Sequence, residues 1–270
     1  MNILPDIFKW INIHCQKLYI IVFEDKLILK MENIGMTNTN IKIVITGASS
    51  GIGEAIALEM AQGNTFYLTG RNKDRLEDVQ EQVMSLGGNA FISVGDVSNL
   101  QDVKRQYNEA IEKLGVIDVL IPNAGVGYMK NLEETSDEEF NQMIGINVHG
   151  VFYWIREVLP AMKERNKGQI IVMSSTAGLY NFSEASVYCA SKHAVQSLAE
   201  SLRREITKTR IKVATINPGS VNTPWMDKKP NPPSENSRLK MLTASDVAKS
   251  ARLIMTQSES SNIDHISLWY

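Results

Sequence analysis

Cysteine is almost missing from the chain: Cys15 and Cys189 stand far apart and form no CxxC pair. That excludes a disulfide-stapled scaffold and fits a reducing compartment. Histidine is scarce as well. His14, His149, His193 and His265 make no metal-ligand spacing with each other or with cysteine, so no metal centre is expected. Charge of one sign is lacking, with a net charge of -2 at pH 7 and a pI of about 6.1. Nucleic acid is therefore excluded as a main partner, because phosphate binding leans on an excess of Lys and Arg. No apolar run reaches the roughly 20 residues that a membrane span needs. Near the start the longest is "LYIIVF", residues 18–23, closed by Glu24, Asp25 and Lys26. It lacks a small-residue cleavage site after a longer apolar core, so neither a span nor a signal peptide is expected. The protein is placed in the cytoplasm.

The first 40 residues stand apart from the rest. Leu4, Ile7, Ile11, Cys15 and Leu18 fall at helical spacing, and such a stripe could pack on the domain, a partner or a membrane surface. The other reading is an N-terminal extension of uncertain status, upstream of a start at Met31 or Met36.

From Ile41 onward strands and helices alternate. Short β-branched runs ended by glycine or polar residues, such as "IKIVITG" and "NTFYLTG", read as buried strands. Between them lie helical stretches of 10 to 20 residues, such as "KDRLEDVQEQVMSLGG", stopped by glycines. Ser98 or Asn99 caps one helix. Ser136 and Glu139, in capping-box spacing, open a long one with Gly145, Gly150 and Pro160 as weak points. A polar, proline-rich stretch covers residues 222–240, and "IDHISLWY" is a last strand. The pattern predicts one Rossmann-type, doubly wound α/β domain over residues 41–270. Its sheet is mostly parallel and seven-stranded, with helices on both faces. Ligands in such sheets bind at the carboxyl ends of the strands.

Motifs sit at those ends. "TGASSGIG", Thr46 to Gly53, lies between a strand and a helix, where glycines let backbone N–H groups approach a pyrophosphate. Its spacing is G-x-x-x-G-x-G. After later strands come Asp96-Val97, Asn123-Ala124-Gly125, Ser174-Ser175 and Pro218-Gly219. Tyr188 precedes Lys192 by one helical turn, so the two share a face. An isolated phenol, with a pKa near ~10, is a poor base at neutral pH, and a nearby cation lowers that value.

The order and spacing of these motifs, over residues 41–270, resemble the classical short-chain dehydrogenase/reductase family. The resemblance implies a nicotinamide dinucleotide cofactor and a reaction between a carbonyl and an alcohol. It makes Tyr188 the general acid and base, with Lys192 beside it. Ser175, thirteen residues before Tyr188, would hold the substrate oxygen, and Asn147 would anchor a water chain from Lys192. Read alone, Asn147 is an exposed helix residue and Ser174 a serine capping a turn. Cofactor contacts are implied at Gly47, Ser49, Ser50, Gly51, Ile52 and Gly53. They are also implied at Arg71, Asp96, Val97, Asn123, Ala124, Gly125, Tyr188, Lys192, Pro218, Gly219, Val221 and Thr223. Gly70 stands where an NAD-selecting acid would be and Arg71 follows, which favours NADP(H) over NAD(H).

Cys189 and His193 read as packing residues, and "FYWIREVL" as core or a subunit interface. By analogy with the family, a homodimer or homotetramer is expected. Substrate contacts are expected from Val126, Tyr128, Leu179, Tyr180, Phe182, Trp225 and Met226. Lys228, Lys229, Arg238 and Lys240 have two readings: a carboxylate-binding loop for small hydroxy acids or semialdehydes, or solvated lysines on a lid. A noncatalytic NADP(H)-binding sensor is the alternative function. It has less support, because Tyr188, Lys192, Ser175 and Asn147 are all present.

Overall fold

The computed structural model describes residues 40–228 and 232–270, and the backbone of residues 12–13, 16–23 and 26–33. The chain divides into two units, Met1–Asn38 and Thr39–Tyr270. In the first, β1 (Asn12–Ile13), β2 (Gln16–Phe23) and β3 (Lys26–Asn33) form an antiparallel sheet. Leu18, the last residue of the expected helical stripe, therefore lies in a strand. Its neighbours Ile20, Ile21 and Val22 are β-branched, which favours extended backbone over helix. Leu4, Ile7, Ile11 and Cys15 lie outside the described residues.

The second unit is the α/β domain. It runs β4 (Lys42–Thr46), α1 (Gly51–Glu59), β5 (Thr65–Gly70), α2 (Lys73–Ser85), β6 (Asn89–Val94), α3 (Leu100–Leu114) and β7 (Val119–Ile121). There follow α4 (Asp137–Ile144), α5 (Gly150–Arg165), β8 (Gly168–Met173), α6 (Ser186–Glu205), β9 (Ile211–Pro218) and β10 (Val221–Asn222). Last come α7 (Glu235–Arg238), β11 (Leu242–Thr243), α8 (Ala244–Met255) and β12 (His265–Leu268). Seven strands form one sheet in the order β6-β5-β4-β7-β8-β9-β12, and every pairing is parallel. The small β10–β11 pair is a separate two-stranded sheet.

Strand periodicity sorts the core into two faces. Ile43 and Ile45 of β4 pack with Ile56 of α1, Leu76 of α2 and Val247 of α8. Val44, between them, packs with Val103 of α3, Trp154 of α5 and Val195 of α6. Each such side chain contributes about 1.5–3 kcal/mol by leaving water. Asn99 caps α3, accepting from the N–H of Gln101 at 2.9 Å. Ser136 and Glu139 form the expected capping box of α4. The expected long helix is interrupted. Residues Gly145–His149 make one π-helical turn between α4 and α5, while Pro160 lies inside α5 without ending it. Strand order reverses between β4 and β7, so the crevice opens at their carboxyl ends.

Candidate active site

β4 ends at Thr46 and α1 starts at Gly51, so the chain must turn within residues 47–50. Gly47 and Gly51 both adopt φ +64°, which L side chains rarely take. A Cβ on Gly47 would lie 2.7 Å from the Cα of Ala124, and one on Gly53 2.5 Å from the carbonyl oxygen of Gly47. The turn is braced from β7. The Asn123 side-chain amide donates to the carbonyls of Thr46 (3.0 Å) and Gly47 (3.1 Å). Thr46 Oγ1 accepts from the N–H groups of Asn123 (3.0 Å) and Ala124 (3.1 Å). Thr46 was missed as a site residue in the sequence, although it opens the glycine motif. Ser50, at the N-cap of α1, makes no side-chain cap bond, so the first N–H groups of this helix take no partner from it.

At the end of β5, Gly70 is followed by Arg71, whose guanidinium stands 3.9 Å from the Asp96 carboxylate. Asp96 accepts from the N–H and hydroxyl of Ser98, and its own N–H donates to Asp102 at 2.9 Å. Val97 is buried behind Asp96, against Gly150. Arg75, in the first turn of α2, lines the same cavity. It went unnoticed in the sequence; its spacing, four residues after Arg71 at a helix start, was the available signal.

Tyr188 lies in the first turn of α6 and Lys192 one turn on. The Lys192 ammonium sits 5.9 Å from the centre of the Tyr188 ring and donates to the carbonyl of Met173 at 3.0 Å. Burial dominates both groups. It pushes the Tyr188 phenol up to about 12, against a hydrogen bond with Ser175 that holds it down. It pulls Lys192 down to about 8. The expected lowering of the phenol by Lys192 is thus not present in the protein alone: desolvation raises the phenol, and the group that holds it down is Ser175. Ser175 caps the short 3-10 turn Thr176–Gly178, accepting from Ala177 N–H at 3.1 Å and donating to Pro218 at 3.3 Å. The turn-capping role read for Ser174 belongs to Ser175 instead. Ser174 is buried and donates to the carbonyl of Lys192.

Asn147 is 1% exposed, which corrects the exposed reading. It sits in the π turn, and its amide clamps the backbone of Val126 with two bonds of 2.8 Å. It also donates to Ser191 Oγ at 3.0 Å, which in turn donates to the carbonyl of Tyr188. A Cβ on Gly125 would lie 3.4 Å from Asn147 Oδ1 and 3.5 Å from Lys192 Nζ. Asn147 therefore fixes the loop after β7 against the Tyr–Lys helix.

Val126, Tyr128, Trp225 and Met226 line the cavity, joined by Gln142 of α4, which sequence reasoning did not find. Leu179, Tyr180 and Phe182 are exposed and do not line it. Arg238 is already engaged. It pairs with Asp227, donates to Asn222 Oδ1 at 2.9 Å and to the carbonyl of Pro233 at 3.3 Å, so it is a loop fastener rather than a carboxylate ligand. The Lys228 and Lys229 side chains lie outside the described residues.

The cavity holds about 640 Å³. Its wall joins the glycine turn, the α1 N-terminus, Arg71, Asp96, the Asn123–Gly125 backbone, Ser175, Tyr188, Lys192 and the segment from Pro218 to Thr223. Gly53 lies behind the turn, Val221 and Thr223 in front of it, and Asn147 supports the floor. Uncapped N–H groups and two arginines at one end, and a buried amine beside a half-buried phenol at the other, fit a phosphate-containing dinucleotide.

The short chain dehydrogenase family model matches residues 42–233. The chain belongs to this family. As a short chain dehydrogenase it is an oxidoreductase. The oxidoreductase Lin0452 of Listeria innocua is 39% identical over 195 residues, covering 71% of this chain and 79% of that protein. An alcohol dehydrogenase from Thermococcus sibiricus, solved with 5-hydroxy-NADP, is 32% identical with a TM-score of 0.77; 84% of this chain and 95% of that one are covered. A serine dehydrogenase solved with NADP+ is 30% identical with a TM-score of 0.78, covering 84% and 94%. Other solved relatives carry NADH or NAD. Among the described residues, no helix of this short chain dehydrogenase is long and apolar enough to cross a membrane, and no cluster of metal ligands occurs.

Proposed function

We propose that this protein is an NADP(H)-dependent oxidoreductase that interconverts a carbonyl and an alcohol, with Tyr188 as general acid and base. The observation that carries the reading is the meeting of Ser175, Tyr188 and Lys192 in one cavity with the glycine turn. When bound, the reduced nicotinamide would supply the hydride. Ser175 and Tyr188 hold the substrate oxygen between two hydroxyls, and Tyr188 gives its proton to that oxygen. Burial keeps the phenol protonated, with its pKa at about 12, which is the state that reduction needs at neutral pH. Lys192, anchored on Met173, sits behind the phenol and stabilises the negative charge left on it. Asn147 holds the backbone wall of the pocket in place and, by analogy with the family, anchors the water chain through which the lysine exchanges protons.

NADP(H) is preferred over NAD(H) because Arg71 and Arg75 line the cavity beside Gly70, with no acid at the end of β5 to repel a 2′-phosphate. A location in the cytoplasm and a homodimer or homotetramer complete the reading. The exposed face of α5, where Arg156 stacks 5.0 Å over Phe152, is the proposed contact. The noncatalytic sensor has no observation in its favour.

Initial rates of NADPH and NADH oxidation with neutral aldehydes and ketones test the cofactor side. NADPH is expected to give at least about tenfold higher kcat/KM, a typical yield of one charge-assisted pair. Replacing Arg71 and Arg75 together by serine should raise the KM for NADPH and leave that for NADH unchanged. Equal use of both cofactors by the parent protein would contradict the preference.

A further inference from the structure

The residues that follow Gly125 form a strap with two sides. Val126, Tyr128 and Lys130 serve one side. Both backbone groups of Val126 bond to Asn147 at 2.8 Å. The Tyr128 hydroxyl donates to Gln142 Oε1 at 2.7 Å, and the Lys130 ammonium donates to Glu139 Oε1 at 2.6 Å. These partners lie on α4 and the π turn, in reverse order along the chain. Contacts from alternate residues are those of an extended segment, which advances about 3.3 Å per residue, or roughly 13 Å from Val126 to Lys130. A helix rises about 1.5 Å per residue, or roughly 12 Å from Glu139 to Asn147. The two lengths match, so all three attachments close together.

The residues between serve the other side, toward the first turn of α6. A Cβ on Gly127 would lie 2.8 Å from Cδ2 and 3.1 Å from Cε2 of the Tyr188 ring, and 2.8 Å from Trp225 Cζ2. Gly127 has no positive φ, so the neighbouring rings rather than the backbone require glycine here. Met129 packs with Tyr188 on Ala177, Ala185 and Cys189. The edge of the phenol ring therefore rests on a strap whose own place is set from α4. Lys130 and Glu139 fasten its far end, and neither lines the cavity. Their side chains are 33% and 19% exposed, which shields the pair in part from salt. Glu139 also accepts from the Ser136 N–H, so the fastening reaches the capping box of α4.

We infer that Lys130 and Glu139 are positioning residues for Tyr188: their ion pair fastens the strap of residues 126–130, which through Gly127 and Met129 sets the place of the phenol. This rests on the reading of Tyr188 as general acid and base, because a misplacement of about 1 Å is enough to slow a positioned reaction severely.

Lys130→Met removes the charge and keeps a long side chain. Glu139→Gln removes the charge and keeps the capping box, which takes either residue. With NADPH and neutral ketones or aldehydes, each variant is expected to lower kcat at least fivefold while the Kd for NADPH stays within twofold. Lys130→Arg is expected to keep kcat within twofold of the parent. The double variant should be about as slow as the slower single one, because both changes remove one bond. General loss of structure does not combine rescue by arginine with intact cofactor binding. The strap is also read without turnover. Cys189, buried in the cluster on which Met129 packs, reports through its rate of reaction with dithiobis(nitrobenzoate) once Cys15 is replaced by serine. Lys130→Met should raise that rate at least fivefold. A kcat and a thiol rate both unchanged in Lys130→Met would overturn the inference, and so would a loss of kcat that arginine does not restore. If the parent protein consumes no NADPH with these carbonyls, the oxidoreductase reading fails, and the thiol rate alone decides whether the pair holds the strap.

Discussion

At the scale of single residues, what the site does depends on burial, which spacing does not reveal. The four-residue interval between Tyr188 and Lys192 was legible and put both on one face. Their pKa values were not, because they follow from the apolar surroundings that α6 meets only after folding. Lys192 falls from an unfolded value of 10.5 to about 8. Its folded pKa is below its unfolded one, so the unfolded chain binds more protons between those values and stability rises with pH there. The shift corresponds to about 3 kcal/mol. The difference in melting temperature between the parent protein and Lys192→Met is therefore expected to grow in the parent's favour from pH 8 to pH 10. A difference that stays flat over that range would show that the amine is not desolvated as described. Arg238 teaches the same lesson. Its charge was readable, but its three partners come from segments up to sixteen residues away in the chain.

At the scale of elements, most strands and caps could be read from pattern, since period and capping residues are local signals. The capping box of Ser136 and Glu139 is one such case. Gly145 and Gly150 marked the weak points of the long helix, but the π character of the turn between them, Gly145–His149, was not legible, because one extra residue per turn barely disturbs a helical pattern. Its effect is to carry Asn147 into the interior, where the amide satisfies both backbone groups of Val126. Asn147→Ala leaves those half-buried groups without their partner. The expected cost is about 2–4 kcal/mol, seen as a melting temperature lower by about 5–10 °C. A shift below about 1 °C would mean that the amide is not holding the loop. The strands of the first unit were also missed, because a stripe of five apolar residues can match helical spacing while the β-branched run inside it prefers an extended chain.

At the scale of the whole molecule, a wholly parallel seven-stranded sheet brings motifs scattered from Gly47 to Thr223 to one edge. The motifs were legible because each follows a strand, and strand ends share one side of such a sheet. The contacts that tie them together were not. The Thr46–Asn123 brace joins residues 77 positions apart, and Trp225 meets Gly127 only across the finished cavity. The account stands on one claim, that Tyr188 exchanges the proton in a carbonyl–alcohol reaction. The direct measurement is the initial rate of NADPH oxidation with neutral ketones and aldehydes, comparing the parent protein with Tyr188→Phe. The account predicts turnover in the parent and a kcat lower by about 10²–10⁴-fold in the variant, with the Kd for NADPH within about twofold. An unchanged kcat in Tyr188→Phe would contradict it.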